Sequence, residues 1–166
     1  MERKFMFNPI DYLCVLLKAT LVGMMIAIAT LTFYQVVMRY GFNKSSSWTE
    51  EAIRFIFIWC SFLAVAVGVR EKIHIGINII VELLDIRVRF FLELIGWIAI
   101  MCFASYLAYY GWKVVVTTNF QTSPGLGVKM SWVYSSVPTM GVLIMLFCLE
   151  GAVKSILDFL YSRKEL

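Results

Sequence analysis

Four long apolar runs, separated by short polar segments, make up most of this 166-residue chain. A helix needs about 20 mostly apolar residues to cross a bilayer, and each run reaches or approaches that length. The runs predict membrane spans at about 12–38, 52–69, 91–116 and 132–157. We therefore expect an all-α membrane protein with four transmembrane helices, forming a single membrane domain over residues 1–166.

The segment between the second and third runs has a different pattern. Its polar residues follow one stripe of a helix, formed by His74, Asn78, Glu82 and Asp85, and its apolar residues lie on another face. This pattern is typical of a short amphipathic helix lying in the membrane interface, here at about 73–85. Such a helix can lie at the surface without a ligand, or its cations can hold anionic headgroups. The lipid candidates are Arg70, Lys72, His74, Arg87 and Arg89.

The distribution of Lys and Arg predicts the orientation. If the N-terminus is inside, ten Lys and Arg residues flank the spans on the cytoplasmic side and five on the outer side. Cytoplasmic flanks usually hold the excess of Lys and Arg, so both termini are predicted to be cytoplasmic. The first apolar run is too long for the core of a cleaved signal peptide, and we expect it to remain as the first span.

Composition narrows the possible functions further. The chain is 61% hydrophobic and 16% charged, and its net charge of +4 is too small to indicate binding to nucleic acid. Its four cysteines lie one in or beside each run, without the grouping of a disulfide or metal site, so we expect no cofactor. The single histidine excludes a haem held by two histidines within this chain.

Three charges and a tryptophan stand where the second span begins. Glu50 and Glu51 fall in the first turn of the predicted helix, where the helix dipole favours negative charge. Ser47 and Glu50 have the spacing of a capping box, and Arg54 could neutralise both acids from the same face. Capping alone would explain these residues; the alternative is that this charged face docks a partner.

The connection before the fourth run holds the second candidate surface. Pro124-Gly125 indicates a turn, within either an ordinary structured loop or an outer contact surface. Taken together, the predicted partner contacts are Trp48, Glu50, Glu51, Arg54, Gln121, Ser123 and Trp132.

Small residues and missing charges describe the spans themselves. Small residues recur at helical spacing, which lets helices approach closely in lipid: Ala19, Gly23 and Ala27; Cys60, Ala64 and Gly68; Ala104 and Ala108. The middle of each span has no Asp, Glu, Lys, Arg or His. The nearest exception is Glu150, and Lys154 four residues later can pair with it near the cytoplasmic end. Pumps and exporters usually keep an acid, a relay or a broken helix in the middle of a span. The pattern favours a membrane subunit without a transport path of its own.

The chain as a whole resembles the small integral-membrane (Q-type) subunit of TRAP transporters, the tripartite ATP-independent periplasmic transporters. The resemblance rests on an ordered series of short motifs: Val36-Val-Met-Arg39-Tyr40, Trp48-Thr-Glu-Glu51-Ala-Ile-Arg54, Arg70 with His74-Ile-Gly-Ile-Asn78, Gln121-Thr-Ser-Pro124, Trp132-Val-Tyr134 and Pro138-Thr-Met-Gly141. One departure is Asn78, where the family often has an aspartate.

The resemblance implies a scaffold in a bacterial inner-membrane importer, and not an enzyme. Such subunits pair with a large membrane subunit that moves substrate and Na⁺, so Na⁺ coupling is expected in the partner. A periplasmic substrate-binding protein delivers organic anions such as C4-dicarboxylates or sialic acid. Membrane lipids complete the expected partners. Two alternatives stay open: the membrane anchor of a respiratory redox complex, and a small multidrug exporter, which would need an acid within a span.

Overall fold

Four long helices account for most of the chain. The computed structural model describes residues 9–44, 46–71 and 86–162, and for residues 86, 87, 89, 90 and 158–162 it describes the backbone alone. The helices are α1 (Pro9–Gly41), α2 (Ser47–Arg70), α3 (Ile86–Thr117), α4 (Met130–Tyr134) and α5 (Ser136–Ser162). The stretches long and apolar enough to cross a membrane are Pro9–Gly41, Ser47–Arg70, Phe91–Thr117 and Met130–Leu157.

The prediction of four spans is therefore confirmed. The helices extend beyond the apolar runs. For example, α1 with 33 residues is about 50 Å long, whereas the hydrocarbon core of a bilayer is about 30 Å thick. The predicted interfacial helix at 73–85, including His74, lies outside the described residues, and so does Lys72. The side of the membrane that each end faces stays a prediction.

The helices pack in the order α1, α2, α5, α3. α2 contacts α1 on one side and α5 on the other, and α3 packs most extensively against α5. The short helix α4, which connects α3 to α5 along the chain, contacts α2, α3 and α5. Because α1 and α3 stand at the two ends of this row, each keeps a broad exposed side that carries large apolar residues.

Glycines on α3 and α5 allow these two helices to approach closely. A Cβ atom on Gly141 would lie 2.8 Å from the carbonyl oxygen of Ala104 and 2.9 Å from the Cβ of Ala108. Farther along, Gly151 faces the Trp97 ring. Ala104 is only 1% exposed, so the small face predicted on the third span is used for packing.

The small residues of α1 have a different environment. Ala19 and Gly23 are exposed, and a Cβ atom on Gly23 would meet nothing within 4 Å. Their spacing is the same as that of the packed pair on α3, yet in this chain it serves no contact between described helices. Spacing alone does not distinguish a packed face from a lipid-facing one.

Gly141→Ala should destabilise the bundle by about 1–3 kcal/mol, because the added methyl group must displace the α3 backbone at Ala104. The measurement is the midpoint of thermal unfolding of the purified protein in detergent. The matched control is Gly23→Ala, which adds the same methyl group in open space. Equal midpoints for the two variants would contradict the packing described above.

Candidate functional site

The polar groups of α2 gather at its two ends. Glu51 and Arg70 are nineteen residues apart, about 28 Å along a helix rising about 1.5 Å per residue. That distance is close to the hydrocarbon thickness of about 30 Å. Each residue lies where a second part of the chain meets α2, and the two clusters are called below the Glu51 end and the Arg70 end.

At the Glu51 end, one carboxylate is held by the connection before α4. Gly125 donates its backbone N–H to Oε1 and Oε2 of Glu51, each at 3.0 Å, and Leu126 donates its N–H to Oε2 at 3.0 Å. The hydroxyl of Ser123 donates to the same carboxylate. Successive backbone N–H groups of this kind form an anion-binding concavity, here called the Glu51 cradle.

The local sequence explains why the cradle forms. Ser123 donates its N–H to the carbonyl of Val128 at 2.9 Å, and its own carbonyl accepts from the N–H of Gly127 at 2.9 Å. Gly127 has φ +65°, a left-handed conformation that glycine adopts without strain. A Cβ atom on Gly125 would come within 2.8 Å of the Glu51 carboxylate, so any larger residue at this position would have to push the carboxylate away from its donors.

The predicted capping box is wrong. α2 begins at Ser47 and its N-cap is Ser46, which makes no side-chain capping hydrogen bond. Glu50 instead accepts a hydrogen bond of 3.0 Å from Nε2 of Gln35 on α1. Glu50 therefore has its partner on another helix and not in its own first turn. Thr49, fully buried, donates to the carbonyl of Ser46 at 2.7 Å.

Arg54 does not have the predicted role of neutralising both acids. Its side chain is exposed, and no ion pair within 4.0 Å joins it to a carboxylate of the described residues. The hydrogen-bond donors of the cradle stabilise the charge of Glu51 directly, and Arg54 contributes only a weaker attraction from a longer distance. Arg54 is therefore available for contacts outside the chain.

Two tryptophans complete this end. Trp48 packs against Tyr34 of α1 with ring centroids 6.3 Å apart. Trp59, which the sequence analysis did not select, donates Nε1–H to the carbonyl of Trp132 at 3.2 Å and so joins α2 to α4. The ring of Trp132 itself is 68% exposed.

The structure brings some of the predicted partner contacts together within the chain, and their contact with a partner stays a prediction. The structure joins Glu51 to Ser123 directly, and the carbonyl of Gln121 accepts a backbone hydrogen bond from Met130 at 2.9 Å. Gly125 and Gln35 were not selected, because neither a backbone donor nor an amide across a helix pair leaves a spacing signal in the sequence. The two glycines of the Ser-Pro-Gly-Leu-Gly turn were the available signal.

At the Arg70 end, an arginine joins three helices. Arg70 donates from Nε to Oε2 of Glu150 at 3.0 Å and pairs also with Asp11, so that it connects α2 to α5 and α1. The side chains of Arg70 and Glu150 are only 16% and 8% exposed. Lys154 pairs with Glu150 at 2.6 Å, which confirms the predicted pair of neighbouring turns.

Arg70 was predicted to contact lipid headgroups, and this needs correction. Both of its carboxylate partners belong to the bundle, and its guanidinium carbon lies 5.5 Å from the centroid of the Phe147 ring. Its charge is therefore satisfied within the protein. For Arg87 and Arg89 the side chains are not described, and their lipid role stays a prediction.

Further polar contacts close the Arg70 end. Lys18 of α1 pairs with Glu71, and Ser155 of α5 donates to Oε2 of Glu93 on α3 at 3.0 Å. All four spans are thus connected by polar contacts at this end. Within the described ranges, no three His, Cys, Asp or Glu side chains are close enough together to hold a metal ion.

Over residues 28–158 the sequence matches the DctQ component of the tripartite ATP-independent periplasmic transporters. The chain belongs to this family. The predicted resemblance to the small subunit of TRAP transporters is thereby confirmed, and with four helices able to span a membrane the DctQ-type chain is a protein of the bacterial inner membrane.

Individual relatives agree with this assignment. A putative TRAP transporter small permease protein of Haemophilus influenzae is 26% identical over 92% of this chain and 90% of its own length. The sialic acid TRAP transporter small permease protein SiaQ of Vibrio cholerae is 25% identical over 90% of this chain and 85% of its length. The DctQ-type chain is also 33% identical, over 73% of its residues, to the isethionate TRAP transporter permease protein DctMQ of Oleidesulfovibrio alaskensis, of which it spans 20%.

Family membership decides between the alternatives left open by the sequence. TRAP small subunits are transporter components that work with large permease subunits and substrate-binding proteins. Nothing in these relationships supports the membrane anchor of a respiratory redox complex.

Glu51→Ala should loosen the connection before α4, because Gly125 and Leu126 lose their shared acceptor. Hydrogen–deuterium exchange of the segment 123–129 should become faster in the purified protein. Glu50→Ala is the matched control, since the neighbouring carboxylate bonds to α1 instead. Equal exchange in the two variants would show that the cradle does not order this connection.

Arg70→Met should lower the stability of the bundle by about 2 kcal/mol or more, since it leaves the nearly buried Glu150 without its main partner. The measurement is thermal unfolding in detergent. Lys18→Met removes an exposed ion pair at the same end and should change little. If both variants lost the same stability, the role given to Arg70 would be incorrect.

Proposed function

We propose that this chain is the scaffold subunit of a Na⁺-coupled importer of organic acid anions. In this proposal it pairs with a large membrane subunit that carries the substrate, and a soluble periplasmic substrate-binding protein docks at its Glu51 end. Both termini are cytoplasmic and the interfacial helix at 73–85 lies against the inner leaflet. We propose substrates of the C4-dicarboxylate or sialic acid type because two relatives from Vibrio cholerae, the C4-dicarboxylate small permease protein DctQ and the sialic acid protein SiaQ, are named for these substrates.

The observation that supports the scaffold role is that hydrogen bonds and ion pairs connect α2 to other parts of the chain at both of its ends. The Glu51 cradle and the Arg70 ion pairs join elements far apart in sequence. Between these ends, close helix contacts hold the spans together. Such a bundle supports a static role, because a moving element would have to break several of these contacts at once.

The exposed sides of α1 and α3 support the pairing with a larger subunit. Both helices carry large apolar residues away from the bundle, including Phe33 on α1 and Phe103 on α3. The similarity to a permease protein named DctMQ, of which this chain spans 20%, is consistent with a small and a large part of one permease. One exposed side would contact the large subunit and the other would face lipid.

Co-purification and transport test this proposal together. The chain should be isolated in a stable complex with the large subunit of its transporter. Proteoliposomes with that complex, the binding protein and an inward Na⁺ gradient should accumulate the anion, whereas proteoliposomes with this chain alone should not. Uptake by the chain alone, or full uptake by the large subunit without it, would refute the scaffold role.

The variant Glu51→Ala, with Glu50→Ala as its control, tests whether the Glu51 end affects docking of the binding protein without affecting recognition of the substrate. In the reconstituted complex, Glu51→Ala should lower the uptake rate because the docking connection is no longer held in place. The affinity of the binding protein for its substrate should be unchanged, since that site lies on another protein. A changed substrate affinity, or an unchanged uptake rate, would contradict this assignment.

A further inference from the structure

The Glu51 end carries more positive charge than its own carboxylates balance. Its five exposed cations are Arg39, Lys44, Arg54, Lys113 and Lys129. The sequence places only Glu50 and Glu51 beside them as acids. Among the described residues, no ion pair within 4.0 Å joins any of these five cations to a carboxylate.

The opposite end of the bundle provides an internal comparison. At the Arg70 end, each described cation for which a side chain is given has a carboxylate partner: Lys18, Arg70 and Lys154. Among the cations whose side chains are described, those without a carboxylate partner therefore lie at the Glu51 end. In the proposed orientation the Glu51 end faces outward, where short connections usually contain few Lys and Arg residues.

Both acids at this end are already engaged within the chain. Glu51 lies in its cradle, and Glu50 accepts a hydrogen bond from Gln35. Lys113 lies over aromatic rings, with its ammonium group 4.5 Å from the ring centroid of Tyr109. The cations therefore remain available to a partner with carboxylates on its surface.

The surface between these cations has the features of a protein contact. Phe120, 91% exposed, lies in the hydrogen-bonded connection, and the exposed ring of Trp132 lies close to Lys129 along the chain. Aromatic residues and arginine are enriched in protein interfaces, and an ordered backbone lowers the entropy lost on binding.

We infer that the Glu51 end is a cationic docking surface for an acidic face of the substrate-binding protein. This inference rests on the proposed function and adds the charge of the partner's surface to it. Attraction between opposite charges accelerates the encounter of two proteins more than it tightens the final complex. The Glu51 cradle would contribute by ordering the connection that carries Phe120 and Lys129.

The test measures association of the binding protein with the membrane complex in phosphatidylcholine nanodiscs. The variant Arg54→Gln/Lys129→Gln removes two of the five charges, and the matched control Arg54→Lys/Lys129→Arg keeps both. At about 0.05 M salt, the neutral variant should associate about tenfold more slowly than the unchanged complex, and the control at the same rate. At about 0.5 M salt the difference should disappear, because salt screens exposed charges.

The outcomes distinguish this inference from the proposed function. If the binding protein does not associate with the unchanged complex at all, docking at this chain is wrong and the inference falls with it. If it associates equally fast with the neutral variant, docking stands and the acidic face is refuted. Faster association of the neutral variant would also refute it, since it would indicate a basic partner.

Anionic lipid is the remaining source of negative charge. The same measurement in nanodiscs containing phosphatidylglycerol should preserve the difference between the neutral variant and the control. If this lipid slowed the unchanged complex to the rate of the neutral variant, the cations would be serving headgroups, and the docking surface would be refuted.

Discussion

The cost of placing charge in hydrocarbon determines where this bundle can be joined by polar contacts. The charged residues by which α2 contacts the rest of the chain lie near its ends, at Glu51 and Arg70, about 28 Å apart along the helix. On α1, Asp11 pairs with Arg70 and Gln35 bonds to Glu50, and these two α1 residues are about 36 Å apart at the same rise per residue. Both spacings are comparable to the hydrocarbon thickness of about 30 Å, so the polar contacts between α1 and α2 lie where the membrane boundaries are expected.

Between the two membrane boundaries, close packing of α3 against α5 contributes the largest share of the contact between helices. The helices α3 and α5 run antiparallel and meet at three glycines. Gly111 contacts Pro138, Gly141 contacts Ala104, and Gly151 contacts the Trp97 ring. Lipid supplies no hydrophobic contrast that would drive helices together, so close contact between backbones has to provide the specificity. The combination of glycine contacts within the membrane and ion pairs at its boundary gives a bundle with few ways to rearrange.

Sequence patterns predicted the spans and the local pair Glu150–Lys154, because both depend on spacing within one helix. They also selected both halves of the Glu51 end, although not the atoms that join them. Arg70 was misassigned, since its partner Glu150 lies 80 residues away in sequence. A useful signal was present: opposite charges stand at the ends of different spans on the same predicted side of the membrane, where each would need a partner.

The local rules failed at the start of α2 for a related reason. Capping and pairing by spacing treat the helix as isolated, and they assigned Glu50 to Ser47 and Arg54 to both acids. In the bundle, a neighbouring helix and a folded connection supply better donors to the two carboxylates. Arg54 is consequently left exposed and without an ion pair to either acid.

The Glu51 cradle solves two problems at one position. A carboxylate at the membrane boundary needs donors, and the N–H groups of Gly125 and Leu126 need an acceptor. Water can still compete at this depth, so the contact contributes more to order than to stability. An ordered connection fixes where Phe120 and Lys129 are presented. The conspicuous acid of this membrane boundary thus acts through the backbone that it holds, and the surface that it positions is positive.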